Sequence, residues 1–558
     1  MSLRIVELDQ GQIVFAPVTI RDRATVEVHS GVGGNTAIEE DGYLSAGSSL
    51  SRGDVIPRGE RWEGLPARPA GASPTQPNVP PDQRQLSPMS AALMMFAARI
   101  ALSAFIALPT ALIALTIAVV REVDTQGFLD WMYVDSTNAE IMISWVLISI
   151  LTVPIALVME ALACRAMGRV NEGVIGRWTP GYLRVWLKPV LVDNGSRWLY
   201  GTLFWPSWLR LAGMKVGTGC EISSLIDTVP ELVSIGNKTF CADGIYLAGA
   251  VVHRGTVSVA HTSIGADCFL GNGAIVESGV HMPDDTLLGV CTIASRAELR
   301  SGSAWFGNPP FELPHREVIA FDSAFTYDPS PLRYAFRVCW ELARFAVPAI
   351  PALVAAFWFN WLSAEETLSL PVLVLFAVPA VTLCAALLVT LLIIGLKWAM
   401  LGKVRPGVHP LWSSWASRWD LMCLVWNVFA SDIVSALDGT LLLNVLLRLV
   451  GVRIGKRVLL GADFAEDLPD PDMLTFEDGA TVDCLFQAHT FEDRVLKIDR
   501  ITIRRGATVG RNAVLLYGAD IGANTRVAAH SVVMKHEHLR PNRTYAGFPT
   551  RPIDGAER

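Results

Sequence analysis

Late in the chain, the run Gln487-Ala488-His489-Thr490-Phe491-Glu492-Asp493 sets one imidazole just ahead of two carboxylates. Histidine is the side chain whose ordinary pKa lies nearest neutrality, so it can take a proton from an attacking hydroxyl or amine and then return it. Glu492 and Asp493 follow closely enough for one of them to fix the ring tautomer or to orient a charged amine. His489, Glu492 and Asp493 are therefore the candidate catalytic residues. Gln487, Arg494, Lys497 and Tyr517 are the candidate substrate contacts, the two cations being suited to a carboxylate or a phosphate. The alternative for Arg494 and Lys497 is a solvated charged loop.

What must position these residues is a set of regular repeats. From Ile20 an apolar residue returns at every sixth place: Ile20, Val26, Val32, Ile38, Leu44, Leu50. A helix returns near every third or fourth residue and a simple strand at every second, so period six predicts the hexapeptide coil of a parallel β-helix. The same period recurs at Ile264, Leu270, Val276, Met282, Leu288 and at Ile503, Val509, Leu515, Ile521, Val527, Val533. Each array closes alike, with Trp62-Glu63-Gly64-Leu65-Pro66, with Trp305-Phe306-Gly307-Asn308-Pro309 and with Tyr545-Ala546-Gly547-Phe548-Pro549.

Between the arrays lie apolar stretches. Ala91 to Val120, Ile141 to Ala163, Phe345 to Leu362 and Leu370 to Leu396 are each long enough to cross about 30 Å of hydrocarbon. Loop charge sets the orientation, because Lys and Arg near spans stay on the cytoplasmic side. Arg121 to Glu140 holds one Arg against five acids, and Ser363 to Ser369 holds two Glu and no base, so both hairpins are expected to turn outside. Trp178, Trp186, Trp198, Trp205 and Trp208 follow the first hairpin, and Trp412, Trp415, Trp419 and Trp426 the second. Indoles favour the headgroup zone, which predicts interfacial helices, with packing of the indoles on the β-helix as the alternative.

The fold class expected is a mixed membrane protein: three left-handed β-helix lobes joined by transmembrane hairpins with four spans and by interfacial helices. Its division is a partial β-helix lobe over 1–72, a linker over 73–90, a transmembrane hairpin over 91–165 and interfacial helices over 166–213. A β-helix lobe lacking the histidine follows over 214–320, then a hairpin over 330–400, interfacial helices over 401–450 and the histidine-bearing lobe over 451–558. Three arrays in one chain predict an intramolecular pseudo-trimer, with His489 facing a cleft walled by the middle or the first lobe.

Composition agrees with this class. The 558 residues are 51% hydrophobic with a net charge of −7, which offers no basic face to nucleic acid. Nine scattered cysteines without CxxC spacing signal neither zinc nor a disulfide framework, and buried thiols are expected. Met1 to Asp9 lack the apolar core of a signal peptide.

Hexapeptide β-helices are commonly acyltransferases, but a fold alone does not carry a function. Comparison of the arrays says more. Aligning Ala242-Asp243 with Val482-Asp483 sets Gly249 opposite His489 and His253-Arg254 opposite Asp493-Arg494, while the first array offers about Val6. Only the last array keeps the histidine. His253 and His261 are read as structural or acceptor-binding, and His530, His536 and His538 as surface residues.

Hexapeptide arrays joined to paired spans, with Ala242-Asp243-Gly244, His253-Arg254-Gly255, Gly307-Asn308-Pro309-Pro310-Phe311-Glu312-Leu313-Pro314, Gln487 to Arg494 and Val533-Met534-Lys535, resemble the C-terminal membrane region of ε-poly-lysine-type nonribosomal peptide synthetases. The resemblance implies tandem acetyltransferase-like domains that pass a carrier-bound aminoacyl thioester to a free amine, with His489, Glu492 and Asp493 in the transfer site. It departs from the family in having no adenylation domain, no carrier serine and four spans rather than six. Either a piece of a longer synthetase or a stand-alone form fed in trans would account for this.

The expected function is thus membrane-bound aminoacyl or peptidyl transfer to an amine acceptor. A CoA-dependent O- or N-acetyltransferase acting on a cell-envelope precursor and a membrane scaffold with inactive lobes are the alternatives. No tightly bound cofactor is expected; a phosphopantetheine thioester or acyl-CoA would be the donor. The expected partners are the lipid bilayer, a carrier protein or domain, an amine-bearing small molecule or peptide and a possible second copy, at the inner membrane with the β-helix lobes cytoplasmic.

Overall fold

A computed structural model describes residues 2–120, 122, 124, 126–127, 139–294, 299–316, 319–363, 368–461, 464 and 470–553. The acidic turn 121–140 and the turn 363–369 lie largely outside these residues.

The period-six residues point inward. Val32, Ile38, Leu44 and Leu50 are fully buried, as are Leu270, Leu288, Ile503, Val509, Leu515 and Ile521, while Ile20 at the open end of its array is 41% exposed. Each buried branched side chain contributes on the order of 1.5–3 kcal/mol, which lets strands of two or three residues hold together. The strands form parallel ladders in three groups. In the first, Gly31–Val32 lies between Ser2–Leu3 and Ser49–Leu50, Thr36–Ile38 between Val18–Ile20 and Val55–Ile56, and Tyr43–Leu44 between Thr25–Val26 and Glu60–Glu63. The second and third groups repeat this over Lys215–Phe306 and Arg453–Ala546. Facing residues such as Ser263 and His281 are 18 apart, three hexads to one turn of coil.

One turn in each group is longer, and the extra residues leave as a hairpin. These are Val6–Asp9 with Gln12–Phe15, Val251–His253 with Thr256–Val259, and His489–Thr490 with Val495–Ile498. Each hairpin docks on a neighbouring group. The backbone N–H groups of Gln10 and Gly11 donate to Thr508 and Thr481 of the third group (3.2 and 2.9 Å). His253 meets Thr25 of the first group (2.9 Å), and Arg254 pairs with Asp41 (2.9 Å). The third hairpin reaches the second group, where Arg494 donates to the Gly219 and Lys238 carbonyls. The closing segments meet in the middle, where the Phe306 and Phe548 rings lie 4.7 Å apart beside Leu65. The three groups therefore pack around one another in a ring.

Four helical stretches are long and apolar enough to cross a membrane: Pro88–Val120, Met142–Ala166, Pro331–Trp358 and Leu370–Met400. The third starts before Phe345, and its first turns carry buried Arg337, Glu341 and Arg344. Arg337 donates to Glu341 (2.8 Å) and to both Glu221 oxygens (3.0 and 2.9 Å), which ties this helix to the second group.

Several expectations need correction. Trp205, Trp208, Trp412, Trp419 and Trp426 are buried rather than held for a headgroup zone. Their indole nitrogens explain why: Trp205 donates to the Ser223 carbonyl (3.0 Å), Trp208 to that of Leu157 (2.7 Å) and Trp412 to that of Thr326 (3.0 Å). The helix Leu441–Val450, by contrast, exposes Leu441, Leu442, Val445 and Leu449. The proline-rich segment after residue 72 is pinned to the second group, since Pro74 meets His253 (3.1 Å), Gln76 donates to Arg254 (3.0 Å) and Gln83 to Val174 (2.8 Å). His530 is buried at the junction of the first and third groups, packed against Gly31. Cys339 and Cys384 are exposed, on the apolar helices.

Candidate active site

His489 leaves the coil two residues after Gln487, which ends the strand Thr481–Gln487 opposite Leu516. Its own short strand, His489–Thr490, pairs with Val495–Ile498, and that strand is backed by Gly407–Pro410. The strand that carries the imidazole is thereby held along one edge, and the residue is 7% exposed.

The carboxylate that holds it is Asp470. Asp470 Oδ2 lies 2.5 Å from His489 Nδ1, and Oδ1 accepts from Trp419 Nε1 at 3.0 Å. The Trp419 ring stands edge-on to the imidazole at 4.8 Å and 80°. Asp470 immediately precedes the turn Pro471–Met473, and that turn is anchored by Asp472, which accepts from Lys397 Nζ (2.6 Å) and the Val404 N–H (3.1 Å). With Nδ1–H directed at a buried carboxylate, the neutral ring carries its lone pair on Nε2, and an imidazolium formed there is stabilised.

A cavity of 580 Å³ adjoins this pair. The third group contributes Gln487, His489, Thr490 and Phe491, the second contributes Glu221, Phe240 and Asp243, and the intervening helices contribute Trp419 and Asp420. Phe240 stacks on Phe491 at 5.9 Å, sealing the seam between the two groups. Six carboxylates and two guanidinium groups line the space, and Arg337 holds two of those carboxylates, Glu221 and Glu341. Asp420 accepts from Arg344 (2.6 Å), while burial pushes its carboxyl above the usual carboxylate range.

Of the seven residues singled out by sequence, Gln487 and His489 line this cavity. Glu492 and Asp493 do not hold the imidazole, because each is engaged elsewhere: Glu492 with Lys535 (2.5 Å) and Lys497 (3.4 Å), Asp493 with Arg316 (2.5 Å). Asp493 and Arg494 both take positive φ (56° and 59°), a tight reversal that aims Arg494 at the second group. There Arg494 is buried against two carbonyls, with its guanidinium 4.5 Å over the Tyr327 ring, so it is neither a solvated cation nor a cavity ligand. Lys497 is buried beside Glu492, and Tyr517 is buried against Lys535 and His536, away from the cavity.

Asp470 and Trp419 were missed by sequence reasoning, although the repeats held the signal. The turn Pro230–Leu232 of the second group matches Pro471–Met473, which sets Val229 opposite Asp470. Counting from the caps Thr179 and Ser413 of the preceding helices sets Val185 opposite Trp419. The strand register sets Ala250, rather than the expected Gly249, opposite His489, so all three members change together, and Val185 and Val229 join Val257 and Val259 in an apolar cluster against which Ala250 packs. In the second group the same place is filled with hydrocarbon.

Comparison with known proteins agrees with this architecture. Residues 261–289 match a family model described as the hexapeptide repeat of succinyl-transferase. Over 99% of its length the chain is 26% identical to a protein named delta-poly-L-ornithine synthetase from Acinetobacter baumannii (strain AB307-0294). The chain resembles a polyamino-acid synthetase throughout. It spans 42% of the length of that relative.

Proposed function

We propose that the chain is a membrane-bound transferase that passes a carrier-bound aminoacyl or peptidyl thioester to an amine, forming an amide bond. The observation that carries this reading is the buried Asp470–His489 pair on the wall of an acidic cavity, in a chain similar along its length to a polyamino-acid synthetase. In the reaction, the acceptor nitrogen attacks the thioester carbonyl while His489 Nε2 takes the proton from that nitrogen. The tetrahedral adduct collapses with loss of the thiolate, and the imidazolium returns the proton to sulfur. Asp470 stabilises the transient cation, and Trp419 holds Asp470 in place.

In the same proposal, the three parallel groups are left-handed β-helix lobes on the cytoplasmic face, and the four apolar helices cross the inner membrane as two hairpins. The donor is a phosphopantetheine thioester on a carrier protein or domain. No cofactor remains tightly bound, and nucleic acid is not a partner. The match to a repeat named for succinyl-transferases favours a second reading, in which free acyl-CoA is the donor. Detergent-purified protein separates the two: isothermal titration with CoA gives tight binding on the second reading and weak binding on the first. Transfer from an aminoacyl-loaded carrier to an amine tests the first directly, and a His489→Ala variant that transfers at the wild-type rate overturns it.

A further inference from the structure

The turn that carries Asp470 is anchored differently from its counterpart in the second group. There Glu231, which matches Asp472, accepts from the Val170 N–H (2.7 Å) and from Lys188 Nζ. Lys188 belongs to helix Pro180–Leu199 and also donates to the Gly168 carbonyl (2.7 Å). Asp472 keeps the first of these bonds, because counting from the caps Thr179 and Ser413 sets Val404 at the place of Val170. The lysine has moved. Met422 takes the place of Lys188, and the cation comes instead from Lys397, in the last turn of the fourth apolar helix. The second and fourth apolar helices end in register, at Ala166 and Met400, which sets Ala163 where Lys397 stands.

The anchor in the third group is closely enclosed. The side chains of Lys397 and Asp472 are 6% and 3% exposed. Gly451 presses on both, since a Cβ there would lie 2.6 Å from Asp472 Oδ1 and 3.3 Å from Lys397 Nζ. The next residue of the helix, Trp398, donates its indole N–H to the Leu449 carbonyl (2.8 Å). A carboxylate so buried is held where its cation is, because separation would leave both charges away from water. Asp470 lies two residues before Asp472, across Pro471, whose fixed φ leaves little slack between the two carboxylates.

We propose that Lys397 is a positioning residue: through Asp472 it sets Asp470 against His489, and it makes that setting depend on how the fourth apolar helix sits in the bilayer. Where the turn bears Val229, the lysine is supplied by a helix that lies on the coil. Where it bears Asp470, the lysine is supplied by a helix that a thinner or thicker bilayer tilts. Hydrocarbon thickness is therefore a regulator of the site. This rests on the reading of His489 as the base given above.

Chemical labelling of His489 tests the linkage without turnover. Diethyl pyrocarbonate attacks an imidazole only when the ring is neutral, so the pH midpoint of labelling, read on the His489 peptide by mass spectrometry, reports how firmly a carboxylate holds the ring. Full-length protein is reconstituted in vesicles of dimyristoleoyl-, dioleoyl- or dierucoyl-phosphatidylcholine. Asp470→Asn gives the reference for a ring without its carboxylate, with a midpoint lower by about one unit or more. Lys397→Met should move the midpoint most of the way to that reference. Lys397→Met combined with Asp472→Leu should do the same while unfolding at the wild-type temperature, since it leaves no buried charge unpaired. A merely loosened fold would instead raise labelling at every pH alike. The wild-type midpoint should differ between the thinnest and the thickest vesicles, and returning the lysine to the coil-side helix, as Lys397→Ala with Met422→Lys, should abolish that difference. Wild-type midpoints in both Lys397→Met variants, or a uniform rise at every pH, overturn the positioning role, and a wild-type midpoint indifferent to lipid overturns its dependence on the bilayer. Protein that shows every one of these shifts yet transfers to no amine would strike the proposed reaction and leave the linkage standing.

Discussion

At the scale of single residues, the site is a chain of three groups, each holding the next: Trp419 on Asp470, Asp470 on His489. His489→Ala is expected to lower kcat by about 10²- to 10⁴-fold, the usual share of a general base. Asp470→Asn should lower kcat with little change in KM, because it alters the ring's tautomer and charge and leaves the cavity wall in place. Trp419→Phe should do the same more weakly, by about tenfold, through loss of one hydrogen bond to a charged group. Steady-state transfer rates and their pH profiles check all three. His489 was legible because the matching stretch of the second repeat has no histidine at that place, although counting along the sequence set Gly249 there and the strand register sets Ala250. Asp470 was not, because a carboxylate in a run of acids and prolines reads as a turn until the fold brings it against the ring. Glu492 and Asp493 drew attention through proximity in sequence, whereas the reversal at Asp493 and Arg494 turns them toward lysines and Arg316.

At the scale of elements, buried charge binds helices to coil. Removal of Arg337 strands Glu221 and Glu341 away from water, so Arg337→Ala is expected to cost about 3–5 kcal/mol, read as a lower unfolding midpoint in detergent. The hairpin and junction histidines give the packing a pH dependence. Burial lowers the pKa of His253, with Arg254 acting in the same direction and Asp41 against it. Burial likewise holds His530 well below its ordinary value, helped by Arg4, His29 and Arg511. Above about pH 6.5 both folded and unfolded chains leave these rings neutral. Below it the unfolded chain takes up protons that the folded chain refuses, so stability falls with pH down to the folded pKa values. Thermal midpoints should therefore drop between about pH 7.5 and about pH 5.5, and His253→Asn combined with His530→Gln should flatten that slope. The coil itself was plain in the sequence, since one inward residue in six leaves a period no other element has. The indoles were ambiguous, because an amphipathic ring suits a membrane surface and a buried seam equally well until its N–H partner is known.

At the scale of the molecule, the proposed topology has both hairpins turning outside. A cysteine placed at Ser369 should react with a membrane-impermeant maleimide on intact cells, and one at Ser51 only after permeabilisation. The reverse pattern would invert the orientation.

The ring of contacts also bears on concentration. The groups that meet around Leu65, Phe306 and Phe548 are tethered in one chain, so each sees its neighbours at an effective concentration that dilution in the test tube does not change. A site shared between separate subunits comes apart when its enzyme is diluted below the subunit affinity. Here the His489 cavity and its opposing wall travel together, and specific transfer activity should stay constant across serial dilution.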